Sequence, residues 1–170
     1  MGCDIHMVLE KKFNDKWVGL HAYPSVSTKA VSIYSKSGEG IAIHKQPLDH
    51  IPFKADERNY TLFGALAGVR NDSPFGHTDL GLPDDVSDLA ACLSEEYGQD
   101  GHSHSYMLLP EFLRCYAYAT DDDAYSKGCV AAVEGTTTPF IEFADEVLGF
   151  KFYPDEGNVE KYRIVFWFDN

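Results

Sequence analysis

The sequence is short of positive charge, of long apolar runs and of closely spaced cysteines. It carries 14 Lys and Arg residues against 27 Asp and Glu residues, a formal net charge of −13. Because phosphate backbones and anionic membranes attract cationic surfaces, this balance argues against non-specific nucleic-acid binding and against membrane-surface binding. No apolar run reaches the length of a membrane-spanning helix, and no basic-then-apolar leader opens the chain. We therefore expect a cytosolic protein without a membrane partner.

The four cysteines also exclude familiar site types. Cys3, Cys92, Cys115 and Cys129 form no CxxC pair and lie far apart, which favours buried free thiols over a zinc knuckle or a disulfide framework. A glycine-rich phosphate loop, a GxSxG nucleophile motif and an HExxH zinc motif are absent as well. The common signatures of nucleotide binding, serine hydrolysis and zinc proteolysis therefore give no lead.

Hydrophobic patterning predicts a single α+β domain over residues 1–170, with one mixed or antiparallel sheet. Residues 3–10 alternate between apolar and polar positions, which predicts a half-buried strand. Asn14-Asp15 predicts a turn into a return strand that begins at Trp17. Residues 162–169 carry large apolar residues at both parities, which predicts a central strand next to the first one.

Capping residues predict about four helices packed on this sheet. Their caps and stops give the segments 60–67 (Asn59, Gly68), 87–97 (Ser87, Gly98), 110–119 (Pro110) and 138–149 (Thr138, Pro139, Gly149). Residues 71–85 are rich in Gly, Pro and Asp and are predicted to form a loop. Residues 31–34 and 41–44 are candidates for a short paired element.

Asp4 and His6 are the first candidate site residues, because residues two apart on a strand project to the same side. A carboxylate and an imidazole that project together can hold a divalent metal or act as an acid–base pair. Glu10 lies further along the same face. The alternative is the solvated polar face of an amphipathic strand, and a short DxH pattern on its own favours that alternative.

The segment from Asp100 to Ser105 is the second candidate, with the sequence DGHSHS. Histidines at alternate positions, His102 and His104, can face one site, and Asp100 can join them from the preceding turn. HxH patterns occur in metal enzymes, and His-x-Ser patterns occur in metal-free phosphoesterases. The alternative is a polar loop leading into the next helix, and the segment alone favours neither interpretation.

Arginines flank the first predicted helix, in Arg58-Asn59-Tyr60 before it and Arg70-Asn71 after it. The planar guanidinium fork suits phosphate or carboxylate, although each arginine can instead pair with one of the many acidic side chains. Arg163 has the same two interpretations, and Trp167 is more typical of a core than of base stacking. The remaining histidines have no partner at useful spacing: His21, His44, His50 and His77.

Five blocks occur in order along the chain: Met1-Gly2-Cys3-Asp4-Ile5-His6, Arg58-Asn59-Tyr60 through Leu66-Ala67-Gly68-Val69-Arg70-Asn71, Gly81-Leu82-Pro83 with Asp85, Asp100-Gly101-His102-Ser103 with Ser105, and Phe166-Trp167-Phe168-Asp169-Asn170. Together they resemble a family of small proteins encoded by bacteriophages and prophages. The resemblance implies a protein that acts in the bacterial cytoplasm, and it names no reaction. It also implies that the polar residues of these blocks converge on one pocket.

Three functions fit these residues, and the favoured one is a hydrolase of a nucleotide-like or phosphorylated substrate. It would use either a divalent metal or histidine-based proton transfer. The alternatives are a non-catalytic protein that sequesters an anionic host nucleotide signal, and an acidic inhibitor that binds a host enzyme. The predicted roles are catalytic for His6, His102 and Asp100, metal-binding for Asp4, His6 and His102, and ligand-binding for Arg58, Asn59, Tyr60, Arg70, Asn71 and Ser103.

Overall fold

A computed structural model describes residues 2–23, 58–120 and 161–170 of the chain. The strands are β1 (Asp4–Phe13), β2 (Lys16–Tyr23), β3 (His102–Leu108) and β4 (Tyr162–Asp169), and the helices are α1 (Tyr60–Ala67), α2 (Asp88–Tyr97) and α3 (Leu109–Thr120). The strands form an antiparallel sheet in the order β2-β1-β4-β3. This confirms the α+β class and the adjacent N- and C-terminal strands. The predicted helix at 138–149 and the predicted pairing of 31–34 with 41–44 lie outside the described residues.

Local sequence signals place the hairpin and two helices correctly. Asn14 and Asp15 form the two-residue turn between β1 and β2, and both adopt positive φ, as tight hairpin turns require. The Asn59 side chain accepts a hydrogen bond from the Leu62 amide at 3.0 Å, and Gly68 ends α1 in the left-handed conformation. These caps confirm the predicted start and end of α1. The predicted bounds of α2 are confirmed in the same way by Ser87 and Gly98.

One face of the sheet packs against α1 and α3. Ile5 and Phe166 project from the two central strands and contact a core that includes Leu66 of α1 and Phe112 of α3. All four side chains are essentially inaccessible to water. Because burial of one such side chain contributes about 1.5–3 kcal/mol, this layer is the main stabilising contact of the described chain.

The other face of the sheet is buried too, which corrects the prediction of a half-buried first strand. Val8 and Trp167 pack there with Leu89 of α2. His6 and Glu10 lie on the same face and are buried despite their polarity. The alternation in β1 is as predicted. Its polar positions, however, face α2, a helix distant in sequence, and not solvent as their polarity suggested.

A buried ion pair satisfies Glu10 and Arg163, which lie opposite each other on β1 and β4. Arg163 Nε donates to Glu10 Oε2, and Arg163 Nη1 donates to Asp85 Oδ1 at 2.7 Å. The other oxygen of Glu10 accepts from the Ser87 amide at 2.8 Å, at the start of α2. The Arg163 guanidinium lies 4.2 Å from the centre of the Trp17 ring. Arg163 therefore pairs with two acidic side chains, Glu10 and Asp85. Together with the bond from the Ser87 amide to Glu10, these contacts fasten α2 to the sheet.

The edge strand β3 is the element that the sequence reading missed. Residues 102–108 pair with β4, whereas the sequence pattern predicted no strand between the helices at 87–97 and 110–119. The sequence HSHSYML has no strong apolar alternation, so its strand conformation comes from pairing with β4. Helix α3 follows without a break and has Pro110 in its first turn, as predicted.

The described cysteines form no disulfide bond, and the described helices are short. Cys3, Cys92 and Cys115 are buried and unbridged, as the sequence predicts, and Cys129 lies outside the described ranges. No helix among residues 58–120 combines the length and the apolar character that crossing a membrane requires.

Candidate functional site

Polar residues gather at the end of the sheet where β1 begins and β4 ends. The antiparallel register places Asp4 opposite Asp169, and His6 opposite Trp167. Since side chains alternate between faces along a strand, His6, Trp167 and Asp169 share the face that α2 covers. We call these three residues the His6 cluster. Strand β3 begins at the same end, because His102 lies opposite Phe168.

Each member of the His6 cluster has a buried polar atom without a hydrogen-bond partner. Within the described ranges there are four such side-chain atoms, and three of them are His6 Nε2, Trp167 Nε1 and Asp169 Oδ1; the fourth is His102 Nε2. His6 Nε2 and Asp169 Oδ1 lie 3.4 Å apart, an electrostatic contact that lacks hydrogen-bond alignment. An unpaired buried polar group costs about 1–3 kcal/mol, so this cluster is suited to a ligand that supplies partners.

Two aromatic rings pack against His6, and burial sets its charge state. The Tyr97 ring centre lies 4.0 Å and the Trp167 ring centre 5.8 Å from that of His6, and the two aromatic rings lie 5.9 Å from each other. Burial lowers the pKa of His6 below its ordinary value of 6.5, and the Asp169 carboxylate opposes this only in part. The imidazole is therefore neutral at neutral pH, which is the form that accepts a proton.

The two histidines of β3 contact different neighbours. His102 stacks on Phe168 with ring centres 6.2 Å apart, whereas His104 stacks on Trp167 at 5.9 Å. The His104 Nε2 atom lies 2.9 Å from the Ser94 hydroxyl of α2, and burial lowers the pKa of His104. Because Trp167 and Phe168 are consecutive on β4, the two histidines lie on opposite faces of the sheet.

A bulge at Ser103 explains this placement. Residues two apart on a regular strand share a face, but the register between β3 and β4 shifts between His102 and Ser105, and Ser103 adopts a φ of +50°. His104 thus lies on the face of the His6 cluster, and His102 lies on the face of α1 and α3. The pair of catalytic histidines predicted from the sequence, His6 and His102, is not side by side in this structure.

The predicted metal ligands are likewise not assembled. The ligand atoms of Asp4, His6 and His102 do not all lie within 4.8 Å of one another. Among the described residues a single group meets this distance, and it contains none of these three. Both carboxylate oxygens of Asp4 accept hydrogen bonds from Arg58, at 2.7 and 3.2 Å. These hydrogen bonds lower the pKa of Asp4. The carboxylate is thus committed to the guanidinium, on the exposed rim of the cluster.

Three predicted ligand-binding residues adopt an uncommon backbone conformation. Arg58, Arg70 and Ser103 have φ values of +53°, +65° and +50°, and the only other described non-glycine residues with positive φ form the hairpin turn. Such residues cost about 1–3 kcal/mol each and concentrate at functional sites. Arg70 is exposed, and its Nη2 donates to the Asn170 side chain at 2.8 Å, directly after the His6 cluster residue Asp169. The strain thus surrounds the end of the sheet that holds the unpaired atoms.

Other predicted site residues build the fold instead. Asn59 caps α1, and Asn71 donates to the Tyr60 carbonyl at 2.8 Å. The Tyr60 hydroxyl accepts from the Cys3 amide at 3.4 Å, which links α1 to the start of β1. Asp100 is exposed in the turn before β3 and forms no ion pair with another described residue. The structure therefore brings only part of the predicted set to one place.

His77 has no partner at useful spacing in the sequence, but the structure gives it two. His77 Nε2 lies 3.2 Å from Glu111 Oε1, and His77 Nδ1 lies 3.5 Å from Cys115 Sγ. Both partners come from α3, more than thirty residues further along the chain, so no short motif signals this cluster. Asp169 was missed as a site residue for a similar reason, because its partner His6 is at the other end of the sequence.

Comparisons of the chain with protein-family models, with curated proteins and with solved structures find no match. The geometry of the described residues is therefore the basis for a functional proposal.

Proposed function

We propose that the chain is a phage- or prophage-encoded hydrolase of a nucleotide-like or other phosphorylated substrate that acts in the bacterial cytoplasm. The observation that carries the proposal is the set of three unpaired buried polar atoms on His6, Trp167 and Asp169. Resemblance of five sequence blocks to phage proteins supports the origin, and the residues at the sheet end support the chemistry.

His6 is the proton-transfer group in this proposal. Its neutral imidazole accepts a proton from the attacking water as the water oxygen bonds to phosphorus and the bond to the leaving oxygen breaks. The imidazolium, stabilised by the neighbouring Asp169 carboxylate, then gives that proton to the leaving oxygen. The two groups lie 3.4 Å apart, so a small movement brings the charged ring into hydrogen-bonding distance of the carboxylate. No metal is needed for this step, which agrees with the engagement of Asp4 by Arg58.

The substrate anion is held by donors at the same end of the sheet. Trp167 Nε1 is a donor without an acceptor in the described chain. Arg70 is exposed at the rim, where its guanidinium donates to Asn170 and lies 5.9 Å from the centre of the Tyr60 ring. A guanidinium stabilises the negative charge that develops on phosphoryl oxygens in the transition state. Since Tyr97 covers His6, the substrate reaches the imidazole only when that ring moves aside.

The test is a hydrolysis assay in EDTA on mononucleotides, cyclic nucleotides and dinucleotides. His6→Gln is expected to lower kcat/KM by about 100-fold or more, as loss of a general base does. Arg70→Ala is expected to raise KM, while Arg114→Ala, an exposed arginine on α3, is the matched control and leaves both constants unchanged. Circular dichroism confirms that each variant is folded. Full activity in folded His6→Gln would overturn the assignment of the base.

Sequestration of a nucleotide without chemistry is the second candidate, and the deep burial of His6 favours it. The side chain is 8% exposed, which suits a held ligand better than rapid exchange of product. The two functions separate cleanly in one measurement. A sequestering protein releases its nucleotide intact on denaturation, whereas the hydrolase yields only product.

A further inference from the structure

A second cluster, formed by His77, Glu111 and Cys115, lies apart from the His6 cluster. Glu111 and Cys115 are four residues apart on α3 and so project from the same side of the helix. His77 comes from the loop at 71–85 and is positioned by Ser73, whose hydroxyl accepts from the His77 amide at 3.0 Å and donates to the Ala65 carbonyl at 3.1 Å. The loop thus presents an imidazole to the helix.

The hydrogen bonds of His77 leave one nitrogen facing a carboxylate. Its Nδ1 lies 2.9 Å from the Ala65 carbonyl, which can only accept, so the ring proton belongs there. The lone pair of Nε2 then faces Glu111 Oε1 at 3.2 Å. Two lone-pair donors at this distance repel each other unless a second proton or a cation lies between them. A histidine that donates its other N–H to a carbonyl is the usual arrangement of a metal ligand.

The distance between the imidazole nitrogen and the carboxylate oxygen matches the coordination of a tetrahedral ion. With metal–ligand bonds of about 2.0–2.1 Å, a nitrogen and an oxygen on one zinc ion lie about 3.3 Å apart. The ligand atoms of His77, Glu111 and Cys115 all lie within 4.8 Å of one another, and among the described residues no other group does so. Arg114 also reaches Glu111 Oε1, at 3.4 Å, and leaves the second carboxylate oxygen to the ion.

We propose that His77, Glu111 and Cys115 bind one zinc-type divalent cation. Thiolate, imidazole and carboxylate together select zinc over the hard cations magnesium and calcium. The Cys115 thiol gives its proton to bulk water on binding, so the ion and its two anionic ligands sum to zero charge. Cys115 is buried, whereas the His77 and Glu111 side chains are 23% and 34% exposed, so a fourth position is open to water.

The ion would fasten the loop at 71–85 to α3. The same loop donates from the Gly81 amide to the His104 carbonyl of β3 at 2.8 Å. A metal at His77 would therefore stabilise the loop that connects α1 to α2 and contacts β3. This site is independent of the proposed hydrolysis, which is measured in EDTA and uses the His6 cluster on the face of the sheet that α2 covers.

The test is titration of untagged full-length protein, stripped of metal, with Co²⁺ and then with Zn²⁺. We expect one equivalent of Co²⁺ with a thiolate charge-transfer band, and displacement of that band by Zn²⁺. Cys115→Ala abolishes the band, while Cys92→Ala, another buried cysteine, retains it. Absence of the band in the folded wild-type protein, or its loss in Cys92→Ala instead, would overturn the proposal.

A second variant, at a partly exposed position, keeps the proposal testable if Cys115→Ala fails to fold. Glu111→Gln changes a partly exposed side chain and preserves its shape. Loss of a direct ligand is expected to weaken Zn²⁺ binding by more than the roughly 10-fold to 100-fold that loss of an outer-shell partner costs. Unchanged Zn²⁺ affinity in Glu111→Gln would show that the His77–Glu111 contact is an ordinary ion pair, and would reject the site.

Discussion

Removal of the Glu10 carboxylate is the sharpest test of how α2 is held on the sheet. Glu10→Ala leaves the Arg163 guanidinium, which is 5% exposed, without its buried charge partner. It also leaves the Ser87 amide at the start of α2 without its acceptor. Breaking one partner of a buried pair costs about 3–5 kcal/mol. Because Asp85 still contacts Arg163, we expect the lower end of this range.

A loss of about 3 kcal/mol corresponds to a fall in Tm of about 6–12 °C for a chain of this size. Urea denaturation followed by tryptophan fluorescence measures the free energy of unfolding directly, because Trp17 packs on Arg163 and Trp167 lies on the same face of the sheet. Asp85→Asn is the control. Its carboxylate is 61% exposed, so its loss costs less than about 1 kcal/mol.

The double variant Glu10→Leu with Arg163→Met distinguishes a charge effect from a packing effect. Replacing a whole buried pair by apolar side chains is often neutral, so the double variant is expected to recover most of the lost stability. The reasoning fails if Glu10→Ala costs less than about 1 kcal/mol, or if the double variant is no more stable than the single one.

Three further predictions concern single residues. Burial lowers the pKa of His6, so at acid pH the unfolded state binds more protons than the folded state. The free energy of unfolding is therefore expected to fall as the pH drops below about 6.5, and to fall less in His6→Gln. Midpoints of urea denaturation measured across this pH range test the prediction. Gly64→Ala places a Cβ 2.7 Å from Asn71 Cβ and 2.9 Å from its carbonyl, and thermal melting should show a loss of about 1–3 kcal/mol. Asn59→Ala removes the α1 cap and is expected to cost about 0.5–2 kcal/mol, while Asn59→Asp retains the acceptor.

Sequence reading succeeded where the controlling interaction is local. The bounds of α1 follow from Asn59 and Gly68, which act on amides and carbonyls within four residues. The turn at Asn14-Asp15 is likewise determined by its own backbone conformation. The aromatic pattern of β4 indicated a central strand because large apolar residues at both parities imply burial on both faces.

It failed where the partner is distant. The strand conformation of β3 depends on β4, about sixty residues away, and the burial of His6 depends on a helix that starts at Asp88. Of the candidate site, Asp4 and His6 were found from their spacing on a strand, and Arg58 and Arg70 from their positions at the two ends of a helix. The position of His102 was not predictable, because the bulge at Ser103 moves it to the other face of the sheet.

The order of the strands has a consequence for synthesis on the ribosome. β1 and β4 are the central pair, yet the chain between their facing residues spans most of the 170 residues. The β1–β2 hairpin leaves the exit tunnel before β4, and the edge of β1 waits without this partner while the intervening segment is made, for about 8–30 s at the elongation rates of ribosomes. An exposed apolar edge invites pairing with other chains. Co-translational shielding by a chaperone is therefore expected to matter more for this protein than for one whose central strands are adjacent in sequence.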